Sequence, residues 1–130
     1  MARTELIKGV NMVARAMLTA LVFLVALSEV SWGHAFPDHS DPKVGSTVEG
    51  SPPQVRIWFD GYIEAAFSTL MVHTAAGKML AKSDSRVNPS DPTLLEVNLP
   101  LQPVGKYIVI WSVISRDGHK TNGDYSFTIK

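Results

Sequence analysis

The chain has no cysteine in its 130 residues. That excludes disulfides and every thiolate site for zinc or copper(I). Neither sign of charge is in excess, with 12 Lys and Arg against 12 Asp and Glu. Electrostatic attraction to nucleic acid or an anionic membrane surface is therefore not built into the composition. Long hydrophobic runs are also missing. The longest, residues 16–27 (AMLTALVFLVAL), is almost wholly apolar, but falls short of the roughly 20 residues that span a bilayer. Thioethers are scarce: beyond residue 17 only Met71 and Met79 remain. There is no internal repeat and no long low-complexity linker.

What is present begins with a leader. Arg3, Lys8 and Arg15 precede the apolar run, and the polar stretch SEVSWG follows it. Ser31 and Gly33 occupy the small-residue positions of an export cleavage site, so residues 1–33 are expected to be a signal peptide cut after Gly33. The alternatives are an uncleaved membrane anchor and a cut after Ala35, which would discard His34. Residues 34–130 would then be the exported domain, close to neutral, with all four histidines (His34, His39, His73, His119) inside it. A domain of that size without disulfides relies on packing, with metal as the remaining aid.

The exported part reads as all-β. Gln54–Phe59 alternates, with Val55, Ile57 and Phe59 on one face. Residues 67–74 form a second strand of mixed polarity, and Ala75-Ala76-Gly77-Lys78 turns into a short strand at Met79–Ala81. Residues 83–92 are polar and proline-punctuated, which predicts a loop. Residues 94–101 alternate, with Leu95, Val97, Leu99 and Leu101 facing one way. Residues 106–115 are apolar on both faces, as in a central strand. Residues 123–130 close the chain with Tyr125, Phe127 and Ile129 inward. No sustained helical period follows the leader. The expectation is an antiparallel Greek-key β-sandwich, immunoglobulin-like or cupredoxin-like.

Chemistry concentrates at the two ends of the exported part. An N-terminal His34 offers its α-amino nitrogen and ring Nδ1 to one ion. Asp117-Gly118-His119 adds a carboxylate and a second imidazole on the same face of an extended backbone, and Gly118 permits a bend between them. Nitrogen bases with one carboxylate suit Cu(II), with zinc or nickel as competitors. An α-amine, with a pKa of about 7.7–8.0, must lose its proton to bind, so affinity should weaken in acid. Each element has a plainer reading. Asp-Gly is a common turn dipeptide, and a lone His119 is more often a surface residue. His39 could support the site by a hydrogen bond or simply be exposed, and His73 reads as a surface or rim residue. Met71 and Met79 suit core or edge positions, and Trp58 and Trp111 suit packing.

His34-Ala35-Phe36-Pro37-Asp38-His39-Ser40-Asp41-Pro42-Lys43-Val44-Gly45 resembles the opening of the CopC family of periplasmic copper-binding proteins. The run from Tyr107 through Trp111, Ser115, Asp117 and His119 to Gly123 is similar to that family's Tyr-x-Val-x-Trp-x-x-x-Ser-x-Asp-x-His-x-x-x-Gly signature. Gln54–Phe59 fits its first long strand. The resemblance implies that His34, Asp117 and His119 hold one Cu(II) per monomer. It also implies work in copper resistance or uptake beside a CopD-type membrane copper transporter, without enzymatic activity. Two departures matter. Gly61 stands where some members carry a glutamate near the copper, leaving Asp60 and Glu64 as the neighbouring carboxylates. The methionine-rich loop of members with a Cu(I) site is missing, so a single Cu(II) site is expected. The competing functions are a histidine-brace copper monooxygenase, like those that oxidise glycans, and an immunoglobulin-like interaction module without metal.

Overall fold

The computed structural model describes residues 2–26, 33–81 and 84–130. Ser31, half of the expected cleavage signal, lies outside them. Ala2–Ala26, in the expected leader, form one helix, α1, as their alanine, leucine and methionine content favours. Lys8 and Glu5 pair across one turn at 3.2 Å. Among the described residues, no helix is long and apolar enough to cross a membrane.

The β domain is a separate unit. Its strands are β1 Pro37–Asp41, β2 Thr47–Val48, β3 Gln54–Phe59, β4 Thr69–Thr74, β5 Met79–Ala81, β6 Arg86–Asn88, β7 Asp91–Asn98, β8 Gly105–Ile114 and β9 Lys120–Ile129. Among the described residues they form two sheets, ordered β1-β3-β7-β6 and β2-β9-β8-β4-β5. The chain changes sheet between β1 and β2, β2 and β3, β3 and β4, β5 and β6, and β7 and β8. That crossing pattern gives the expected Greek-key sandwich.

Alternation makes the core. Val55, Ile57 and Phe59 of β3, beside Leu95 and Val97 of the adjacent β7, pack against Leu70 and Val72 of β4 and the inward residues of β8 and β9 in the other sheet. Phe127 and Ile57 are almost fully buried, and burying a side chain of this size stabilises by roughly 1.5–3 kcal/mol. Trp111 meets Phe59 edge-on with centroids 5.4 Å apart, and its indole lies across Gly123, its partner on β9. A Cβ at Gly123 would come within 2.7 Å of that ring. Burial inside the same core pushes the Tyr125 phenol up to about 12.

Several expectations need correction. Strands β1, β2 and β6 escape an apolar-alternation reading because they lie at sheet edges. In β1 only Ser40 is buried, and polar edge strands resist pairing with other chains. The loop expected over 83–92 contains β6 and the start of β7, a hairpin with Asn88 opposite Asp91. There the Asn88 and Asp91 side chains accept the Ser90 and Thr93 N–H groups. The strand expected from residue 67 begins at Thr69, after a 3-10 turn at Ala65–Phe67. The strand expected through Leu101 ends at Asn98, and Leu101 is 90% exposed. Strand β8 is central, but its outward residues Ile108 and Ile110 are only half-buried. The sheets are not wholly antiparallel either, because β2 runs parallel to β9.

Candidate metal centre

Strands β8 and β9 are joined by a tight turn that carries the Asp-Gly-His motif. Gly118 N–H donates to the Ser115 carbonyl at 2.9 Å, and Ser115 N–H donates to the His119 carbonyl at 3.0 Å. Gly118 has φ +87, the left-handed conformation that closes three-residue hairpins of this kind and favours glycine. Asp117 and His119 therefore converge through a turn, rather than by sharing a face of extended chain as the i, i+2 spacing suggests.

The two oxygens of Asp117 have separate tasks. Oδ1 accepts the Ser115 hydroxyl and the His119 backbone N–H at 3.0 Å. Oδ2 is left facing two imidazoles, with His119 Nδ1 at 3.1 Å and His34 Nδ1 at 3.7 Å. The Ser115 hydroxyl, then the His119 amide, hold the Asp117 carboxyl down at about 2. Hydrogen bonds to the charged form have this effect, and they keep Asp117 an anionic oxygen donor even in acid. The two histidine rings stand 4.3 Å apart, centroid to centroid. Potential ligand atoms of His34, Asp117 and His119 all lie within 4.8 Å of one another. Both imidazoles are open to solvent, at 47% and 62% side-chain exposure, above a carboxylate at 21%. Such a site is accessible from outside.

His34 reaches this end of the sandwich because the residues after it are tied to both sheets. The Thr121 hydroxyl donates to the Ala35 carbonyl at 2.7 Å. Phe36 N–H donates to Asp60 Oδ1 at 2.7 Å, and Asp60 N–H returns a bond to the Phe36 carbonyl at 2.9 Å. The Ala35 side chain is fully buried. A cleft of about 90 Å³ borders the site, lined by Gly33, Asp60, Gly61, Tyr62, Ser115, Arg116 and Asp117. In the intact chain the His34 nitrogen is an amide to Gly33, so an α-amine exists there only after cleavage.

The other candidates stand apart. His39 pairs with Asp38 at 2.8 Å and stacks on Trp58 at 4.5 Å, on the outer face of its sheet. It takes no place in the His34, Asp117, His119 group. Asp60 accepts the Phe36 N–H on its carboxylate, and Glu64 N–H donates to the Ile114 carbonyl at the end of β8 at 2.8 Å. His73 is less open than a surface residue: it is half-buried, and its Nε2 has no partner among the described residues. Met79 lies 47% exposed on edge strand β5, and Met71 is half-buried on β4.

Of the three residues that shape the site, Ser115 and Thr121 had no role assigned from the sequence, and Asp60 was expected only as a neighbouring carboxylate. Ser115 carried a usable signal, because Ser-x-Asp-Gly is turn grammar in which hydroxyl and carboxylate bond locally. Thr121 and Asp60 carried none, since their partners lie 86 and 24 residues away.

Comparison with known proteins agrees with this fold. Residues 38–130 match the CopC domain. Protein YobA of Escherichia coli K12 is 31% identical over 121 residues, covering 90% of this chain and 97% of that protein. The copper transport protein CutJ of Bacillus subtilis is 28% identical over 116 residues, 88% of this chain but only 21% of CutJ. Among solved structures, CopC from Methylosinus trichosporium OB3b superposes with a TM-score of 0.71 at 31% identity, covering 75% of this chain and 94% of that one. PcoC, a methionine-rich copper resistance protein from Escherichia coli, gives 0.66 at 26% identity, covering 75% and 100%. With a CopC domain matched over residues 38–130 and a relative 31% identical across 90% of its length, the chain belongs to the CopC family.

Proposed function

We propose that the chain is exported, cut between Gly33 and His34, and then binds one Cu(II) ion per monomer through His34, Asp117 and His119. The carrying observation is the convergence of two imidazole nitrogens on the one Asp117 oxygen that is not already hydrogen-bonded within its turn. That donor set fits copper: nitrogen bases with a single anionic oxygen suit Cu(II). His34 Nδ1 faces Asp117, the orientation from which an α-amine on the same residue could close a chelate. With no thiol and only Met71 and Met79 beyond the leader, Cu(I) has few soft ligands to prefer.

The protein would act as a binding protein rather than an enzyme, buffering copper in the periplasm or passing it to a CopD-type membrane transporter. Copper resistance and copper transport are the roles named for PcoC and CutJ. Solvent-exposed imidazoles suit hand-over to a partner better than storage in a closed site. The test combines intact mass with titration. The exported protein should begin at His34 and take up one Cu(II) in competition with zinc. With ascorbate and oxygen it should not turn over a glycan substrate. A chain beginning at Phe36, or no Cu(II) uptake by one beginning at His34, would overturn the reading.

A further inference from the structure

The N-terminal segment is gripped one residue downstream of His34, by groups from both sheets. Thr121, on β9, donates to the Ala35 carbonyl at 2.7 Å. Asp60, just past β3 of the opposite sheet, binds both the N–H and the carbonyl of Phe36, at 2.7 and 2.9 Å. Between these anchors the Ala35 methyl is fully buried in the core. Three hydrogen bonds and a buried side chain therefore fix two consecutive residues. Chain termini are ordinarily the least ordered part of a domain, and a ligand that must first be ordered binds more weakly than one already held in place. Here the freedom that remains is confined to His34 itself.

We infer that Thr121 and Asp60 are positioning residues for the metal centre, holding Ala35 and Phe36 so that the processed N-terminal histidine stands over Asp117 Oδ2 before an ion arrives. This rests on the metal-binding reading above. A purely structural role for the same bonds makes a different forecast. Thr121 is half-buried and Asp60 exposed, and the core cluster is built from other residues. A positioning role should therefore appear at the N-terminus and the metal, with little effect on global stability. The Phe36–Asp60 bond is charge-assisted and so the stronger of the two grips. Residues that orient metal ligands typically cost 10–100-fold in affinity when removed.

The full chain is expressed with its leader, exported, and recovered in processed form as wild type, Thr121→Val, Thr121→Ser, Asp60→Ala and Asp60→Asn. Valine removes the hydroxyl at nearly constant volume, while serine restores it. Asparagine keeps an acceptor oxygen for Phe36. Three quantities are read: the melting temperature without metal, the rate at which an aminopeptidase removes His34 without metal, and Cu(II) affinity with its EPR spectrum. Thr121→Val and Asp60→Ala should melt no more than about 4 °C below wild type. Both should be trimmed faster, bind Cu(II) about 10-fold or more weakly, and give an altered spectrum. Thr121→Ser and Asp60→Asn should recover most of each effect. Wild-type trimming, affinity and spectrum in the Val and Ala variants would overturn the inference. So would losses that follow the melting temperature and are not restored by Ser or Asn. Should wild type itself take up no Cu(II), the metal reading falls, and the trimming rates alone still decide whether the grip exists.

Discussion

Gly123→Ala offers a demanding test of the packing that supports the site. The added Cβ would meet three atoms of the Trp111 indole, Cζ2 at 2.7 Å, Cε2 at 3.0 Å and Nε1 at 3.2 Å. The ring is 8% exposed and set edge-on against Phe59 at 5.4 Å, which opposes its moving aside. Forcing one methyl into a filled core typically costs 1–3 kcal/mol. Replacing glycine by alanine also restricts the unfolded chain, which offsets about 0.4–1 kcal/mol. Overpacking wins, leaving a net loss of roughly 1–2 kcal/mol. For a domain of this size each kcal/mol moves Tm by about 4–8 °C, so a fall of at least about 4 °C is expected. Thermal unfolding of the processed, metal-free protein, followed by circular dichroism, measures it. The same experiment should show cooperative unfolding without copper, because the core is apolar and needs no ion. A Gly123→Ala variant that melts at or above the wild-type temperature would refute the account of Trp111 as immobile. Unfolding that is cooperative only with copper present would make the metal structural.

Ser115→Ala removes the largest contribution to the low pKa of Asp117. The Asp117 carboxyl should then rise from about 2 towards the ordinary aspartate value of 3.8, as followed by NMR. A carboxyl depressed in the folded state adds stability above its unfolded pKa, and that stability is lost as pH falls through the folded value. Wild type should therefore keep this contribution at pH 4 and lose it towards pH 2, whereas Ser115→Ala should have little of it to lose. An identical acid profile and carboxyl titration in the two proteins would refute the role given to Ser115. Adding one residue ahead of His34 keeps every side chain but moves the α-amine away. Cu(II) affinity should then drop by at least about 10-fold with a changed EPR spectrum, and an unchanged spectrum and affinity would remove the amine from the ligand set. Met71→Ala and Met79→Ala should leave Cu(II) affinity as it is, while His119→Ala should weaken it sharply in competition titrations. Weakening by either methionine variant would point to thioether ligation instead.

The β3 reading succeeded to the residue because Val55, Ile57 and Phe59 alternate against a buried face, a local pattern with a direct physical cause. Reading by the same pattern failed for β1 and β6, where edge position makes polar sequence acceptable. It also overran at Leu101, whose parity is right but whose strand has already ended. Periodicity reports which face is buried only while there is a neighbour to bury it against.

By itself the sequence determined which donor atoms are on offer: no thiol, few thioethers, and a histidine placed where the proposed cleavage would free its amine. It also determined the sandwich, since its long strands have the alternation of a buried face. Whether the two ends of the chain meet was a question for tertiary structure alone. His34 and Asp117 lie far apart in sequence, and their meeting depends on β1 and β9 belonging to different sheets that face each other across one core. The division of labour between the two Asp117 oxygens was likewise decided only there. It depends on a hairpin turn and its hydroxyl donor folding into a single geometry, which residue types and spacing alone do not fix.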